Sequence, residues 1–158
     1  MSIQTVNGAF TLQVPDTFET VSPEELRKMS QSGDPFGWGV RDRERHIMIL
    51  AMWKRYPALL ARIADLKAMA RKNQQMTAGI YAGHGYRFLE YLSGQAGKEK
   101  AEGYRFMYSV GDISQVNTCF LIKDGKMVYS IICAGREENK EEDLAMIRDV
   151  LESIQYLP

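Results

Sequence analysis

The chain has 158 residues, of which 45% are apolar and 25% charged; this is the composition of one soluble globular domain, not of a disordered or disulfide-stapled chain. Its 20 basic and 20 acidic residues cancel, which argues against generic nucleic-acid binding by phosphate neutralisation. No stretch approaches the ~18 consecutive apolar residues of a membrane span. Residues 1–4 lack the basic and apolar regions of a signal peptide, so a cytoplasmic location is expected.

Phe10, Leu12 and Val14 alternate and predict a first strand that stops at Pro15-Asp16. Ser22 then reads as an N-cap, Pro23 as the first helical position and Glu25 as the far end of a capping box. Val21 and Leu26 occupy the positions of a hydrophobic staple, so a short helix is expected over 23–29. Residues 31–37 are turn-rich. Residues 38–41 read as a short strand, the charged run 41–45 as its turn, and 47–53, apolar on both parities, as a central strand. Pro57 opens a second helix carrying Leu59, Leu60, Ile63, Leu66, Met69 and Ala70 at helical spacing; it should fray near 73–75. After a loop around 79–85, strands are expected over 86–92 and 104–110, joined by an exposed hairpin loop over 93–100.

The most informative stretch runs over 115–133. Asp124-Gly125 predicts a two-residue type I′ turn, which places Lys123 opposite Lys126. One face then carries Val116, Thr118, Phe120, Ile122, Met127, Tyr129, Ile131 and Cys133. The other carries Asn117, Cys119, Leu121, Val128, Ser130 and Ile132. A half-solvated hairpin would alternate apolar with charged residues, and this one does not; it reads as the middle of a sheet covered on both faces. Cys133 falls opposite Val116, and its thiol and that of Cys119 point to opposite faces, so no disulfide is expected between them. Both read as small buried hydrophobes in a reducing compartment. A closing helix over about 140–155 places Leu144, Ile147, Val150, Leu151 and Ile154 on one face. Short connections make the sheet largely antiparallel, and three helices must cover it on both sides. The fold class is α+β, a single-domain α/β/α sandwich over residues 1–158.

The opening strand ending in Val14-Pro15-Asp16, the capped short helix, the Trp38-Gly39 strand, the long middle helix, the antiparallel run and the closing helix resemble the PsbP/Mog-type α/β/α sandwich. The best of its motifs are Phe10-x-Leu12-x-Val14-Pro15-Asp16 and Leu151-x-Ser153-Ile154. Members of that superfamily are mostly non-catalytic binding or accessory proteins, including a photosystem subunit, a Ran-binding factor, DcrB-like bacterial proteins and chaperones of type VI secretion effectors. The resemblance implies the fold and an accessory role, and it transfers no functional residue set.

Read for chemistry, the residues offer little. His46 and His84 lack any metal-binding context, and no metal or other cofactor is expected. Gly79-x-x-x-Gly83-x-Gly85 leads into a strand, whereas a phosphate loop needs a helix N-terminus behind it. Ser109, Ser114 and Ser130 have no nucleophile elbow. No enzyme activity is expected.

Phe36-Gly37-Trp38-Gly39-Val40 is more suggestive. Gly37 and Gly39 leave one face bare, as where another backbone or a ligand approaches closely. The plainer reading is that the protein's own elements pack there. The functional one is an apolar groove for a peptide lined by Trp38, Trp53 and Tyr56. Charge is uneven: Lys54, Arg55, Arg62, Lys67, Arg71 and Lys72 face Asp65 alone over 54–72, and seven acids gather over 136–152. This suits solvated helix faces, steering of a charged partner, or head-to-tail self-association into a homodimer. The sequence therefore favours a protein-binding or chaperone-like accessory module using Gly37, Trp38, Gly39, Trp53, Tyr56, Arg55 and Arg62. The alternative is a small-molecule or lipid-binding domain with an apolar pocket.

Overall fold

Three tight turns, each opened by a glycine at positive φ, build most of the main sheet. Gly97, Gly111 and Gly125 have φ of 60°, 60° and 61°, a conformation that costs glycine nothing. They join β6 (Arg87–Ala96), β7 (Glu99–Val110), β8 (Ile113–Asp124) and β9 (Met127–Arg136) into consecutive hairpins. β5 (Ile47–Arg55) pairs with β9, then β4 (Trp38–Asp42) and β3 (Glu19–Thr20) complete a seven-stranded sheet of order β3-β4-β5-β9-β8-β7-β6. A second sheet of order β1-β2-β10 joins β1 (Ser2–Val6), β2 (Phe10–Val14) and β10 (Gln155–Tyr156). Every pairing among the described residues is antiparallel. The structure, a computed structural model, describes residues 1–30 and 35–158; the turn expected over 31–37 lies mostly outside the described residues.

One face of the main sheet is closed by α4 (Lys140–Glu152) and by the small sheet. Ile147, Val150 and Leu151 of α4 and Val6, Phe10, Leu12 and Val14 of the small sheet share one core with Phe120, Ile122, Tyr129, Ile131 and Cys133. Phe10 meets the Tyr129 ring edge-on at 4.9 Å, and the Asn7 amide donates to the Tyr129 hydroxyl at 3.0 Å. The opposite face carries α1 (Pro23–Met29) at one end and α3 (Leu66–Ile80) at the other. The sheet is thus covered on both faces. On the second face the cover is incomplete around Ile132, which stays half-buried while Phe120 on the first is fully buried.

α1 forms as its signals require. Ser22 Oγ accepts the Glu25 N–H at 3.2 Å, and Val21 and Leu26 are both buried. The Glu25 carboxylate is drawn to the Arg41 guanidinium, at 2.6 Å, tying the helix to β4.

Five expectations need correction. The hairpin turn is Gly125-Lys126: Asp124 pairs with Met127 and Lys123 with Val128. That shift moves the register by two residues, which preserves the faces; Cys133 lies opposite Thr118, not Val116, and both thiols are free and buried. The middle helix is two helices. α2 (Ala58–Ile63) ends at Ala64, and Asp65 caps α3 by accepting the Lys67 N–H at 3.0 Å. α3 does not fray at 73–75 but runs to Ile80. The loop expected over 93–100 is mostly strand, because Ala96 and Ala101 are fully buried beneath α4's end; the Gly97 N–H bonds to the Leu151 carbonyl at 3.0 Å. β1 and β10 were not foreseen, and α4 stops at Glu152 so that Gln155 and Tyr156 can pair with β2.

Candidate functional site

The second face of the sheet is built from alternate residues of four adjacent strands. Met48 and Leu50 come from β5, Ile132 and Ala134 from β9, Asn117 and Cys119 from β8, and Tyr104, Phe106 and Tyr108 from β7. α1 packs Leu26 onto one side of this surface and α3 packs Ala70 and Met69 onto the other. Ile132 touches both apolar clusters. Between the helices an open groove of about 310 Å³ remains, with Met29 and Phe36 on one wall and Thr77, Ile80 and Tyr81 on the other.

Local contacts fix the α3 wall. Tyr81 stacks obliquely on Tyr108, with ring centroids 4.4 Å apart, and leans on Phe106 at 5.6 Å. The Thr77 hydroxyl donates to the Asn73 carbonyl at 2.8 Å and lies 3.0 Å from the Tyr104 hydroxyl. Burial pushes the Tyr81 and Tyr108 phenols up and the Cys119 thiol up to about 12, so these groups are neutral near pH 7. The floor holds one uncompensated polar atom: Asn117 is 7% exposed and its Oδ1 has no hydrogen-bond partner among the described residues. The site therefore offers apolar contact and aromatic walls, with that acceptor buried beneath them.

The seven residues singled out in the sequence do not form one surface. Trp38 is 8% exposed and packs in the first-face core. The bare face of Gly39 is filled by Leu26 and Leu50. The Trp53 ring covers Gly37 and leans on Tyr129, with centroids 5.7 Å apart. Gly37 and Trp53 do line a shallow recess with Phe36 and Lys54, and Phe36 also lines the groove, so the two are adjacent. Tyr56 is half-buried; Arg55 and Arg62 are exposed near α2. The groove itself was missed, although the alternation of Tyr104, Phe106 and Tyr108 puts three aromatics on one strand face and was available as its signal. His46 and His84 are exposed and lie outside the groove. No helix among the described residues is long and apolar enough to cross a membrane.

No family model and no curated protein sequence matches the chain significantly. Solved structures do match in shape. The solution structure of the cyanobacterial PsbP (CyanoP) of Synechocystis aligns with a TM-score of 0.73 at 9% identity, covering 99% of this chain and 92% of that one. LpqN of Mycobacterium tuberculosis, described as involved in cell envelope biogenesis, aligns at 0.58 with 15% identity over 94% of this chain and 83% of that one. A Bacteroides thetaiotaomicron protein aligns at 0.54 with 7% identity, covering 94% of this chain and 45% of the other. The fold is PsbP-like, and at these identities the likeness is one of fold alone.

Proposed function

Starting from a PsbP-like fold with an open apolar groove, we propose that the protein is a non-catalytic accessory module that holds an apolar segment of a partner protein, in a chaperone-like manner. The observation that carries this reading is the uncovered strip between α1 and α3, where Met48, Ile132 and Phe106 line a groove instead of a closed core. Met29 and Met48 supply adaptable contact. Tyr81, Phe106 and Tyr108 supply rigid aromatic area of the kind that dominates interfaces. The Gly37–Trp53 recess, adjoining through Phe36, extends the site, with Trp38 and Gly39 shaping that end from within. Arg55 and Arg62, exposed beside the half-buried Tyr56, would attract an acidic flank of the bound segment. The non-catalytic reading is supported by the groove's chemistry: Cys119 is held as a thiol, and the Thr77 and Tyr104 hydroxyls are bonded to each other. The buried free thiols suit a reducing compartment such as the cytoplasm.

A second reading, a small amphiphilic ligand, is favoured by one specific observation. The groove, at about 310 Å³ and lined by Asn117 among apolar and aromatic side chains, has a size within the ~300–1,000 Å³ of small-molecule sites. One experiment separates the two. A photo-crosslinking residue is placed at Ile80, on the groove wall, and at Ile3, which is 68% exposed on β1. A protein adduct from Ile80 and none from Ile3 is expected in the native host. Equal capture from both positions would sink the reading. A small molecule that co-purifies with the wild type and is lost from Ile80→Glu would replace it with the second.

A further inference from the structure

α2 is anomalous for a surface helix. Among its six residues only Ala61 is buried, while Leu59, Leu60 and Ile63 stand 71%, 50% and 70% exposed. A helix of a soluble protein normally turns such residues to the core. Here the helix is docked through its backbone: the Lys123 ammonium donates to the carbonyls of Ala61 at 2.8 Å and Ala64 at 3.4 Å. The apolar side chains are held outward as a result, and an exposed apolar cluster of this kind usually marks an interaction surface.

Bases surround it. Lys54 and Arg55 end β5, Arg62 is on the helix, Lys67 is in the first turn of α3 and Lys126 is in the β8–β9 turn; all are exposed. The Tyr56 N–H bonds to the Lys126 carbonyl at 2.8 Å, and Arg55, Tyr56, Ala58 and Lys126 line one shallow recess. The acids nearby are Asp65, whose carboxylate caps α3, and Asp124, opposite Met127. None of these five bases forms an ion pair among the described residues.

We propose that α2 is a peripheral anchor for an anionic lipid surface, with Leu59, Leu60 and Ile63 inserting at the headgroup boundary and the surrounding bases engaging the headgroups. Apolar insertion combined with a basic rim is the pairing that such attachment needs. Shape favours lipid over protein. Three protruding side chains enter a deformable bilayer directly, whereas a protein partner would have to supply a matching cavity. Leu59, Leu60 and Ile63 do not line the groove between α1 and α3, so the apolar part of this surface is separate from the proposed function, although the two share Arg55 and Arg62. The attachment is reversible, since one short helix buries little apolar area.

Sedimentation of the whole chain with vesicles of phosphatidylcholine and phosphatidylglycerol, against phosphatidylcholine alone, tests the proposal. Binding to the anionic vesicles is expected, weakening as salt shortens the Debye length. The double variant Leu59→Ser, Ile63→Ser should bind about tenfold or more weakly, with an unchanged thermal midpoint because both side chains are exposed. Arg55→Glu with Arg62→Glu should lose the preference for anionic vesicles. A polarity-sensitive dye on Leu60→Cys should shift to the blue on binding. Absence of binding at low salt overturns the proposal. So does undiminished binding of the serine variant, which would reduce the effect to charge alone. Saturable binding of an acidic apolar peptide at Leu59 and Ile63 without vesicle binding would also overturn it and make the surface a protein interface.

Discussion

Asp143 sits in the first turn of α4 with both carboxylate oxygens buried and unpartnered among the described residues. Its carboxyl lies against Gly135, where a Cβ would collide with it. The Arg45 guanidinium approaches only to 4.0 Å. Burial raises its pKa to about 6; Arg45 works against the shift and Glu142 with it. Since the folded value exceeds the unfolded 3.8, the native state holds this proton more tightly than the unfolded chain. The group's stabilising contribution is therefore complete below about pH 4 and is lost as pH rises through about 6. Asp143→Asn should then raise stability at pH 7.5 by roughly 1–2 kcal/mol, and the gain should vanish towards pH 4; denaturant titrations across that range check both parts. The thiols form a second test at this scale. Burial raises Cys119 and Cys133, the latter further raised by Asp143. A thiol reagent should label both only on unfolding, and rapid labelling of the native protein would contradict their burial.

Among the elements, α1 rests at its N-terminus on one side-chain cap, and at its C-terminus the Ser30 hydroxyl donates to the Leu26 carbonyl at 3.0 Å. Ser22→Ala removes the acceptor for the Glu25 N–H and should lower stability by about 1 kcal/mol, read as a lower denaturation midpoint. The cap was legible because Ser22, Pro23, Glu25, Val21 and Leu26 each bear on the same boundary through local chemistry. The two-sided β8–β9 hairpin was legible for a related reason: a register error of two leaves faces unchanged. What stayed hidden depends on distant partners. Ala96 and Ala101 look like loop residues until α4 and Tyr156 are set against them, the Tyr156 hydroxyl donating to the Ala96 carbonyl at 2.9 Å. β10 has two residues, too few to carry a period. Leu59, Leu60 and Ile63 matched the apolar stripe of a core helix, and only the break at Asp65 shows that this stripe never reaches the sheet. Gly37 and Gly39 correctly signalled close approach, but the groups that approach are the protein's own Trp53, Leu26 and Leu50.

For the whole molecule, cover is asymmetric, and stability should follow it. β8 and β9 are paired on both sides and packed by the first-face core, where Phe120, Ile122, Tyr129 and Ile131 are fully buried. α3 and α1 bury less, and α2 contributes only Ala61. Local opening costs least where few apolar contacts hold an element. Native-state hydrogen exchange should therefore be slowest in β8, β9 and β5, intermediate in α3 and fastest in α2. The order matters for the two surfaces. A groove walled by α3 can adapt its width without disturbing the first-face core, because among the described residues that core shares no side chain with the two second-face clusters, which meet at the half-buried Ile132. Exchange in α2 as slow as in α3 would mean that unseen contacts already cover Leu59 and Ile63, and would remove the physical reason for assigning that helix an external surface. Anionic vesicles should instead slow exchange in α2 selectively and leave β8 and β9 unchanged.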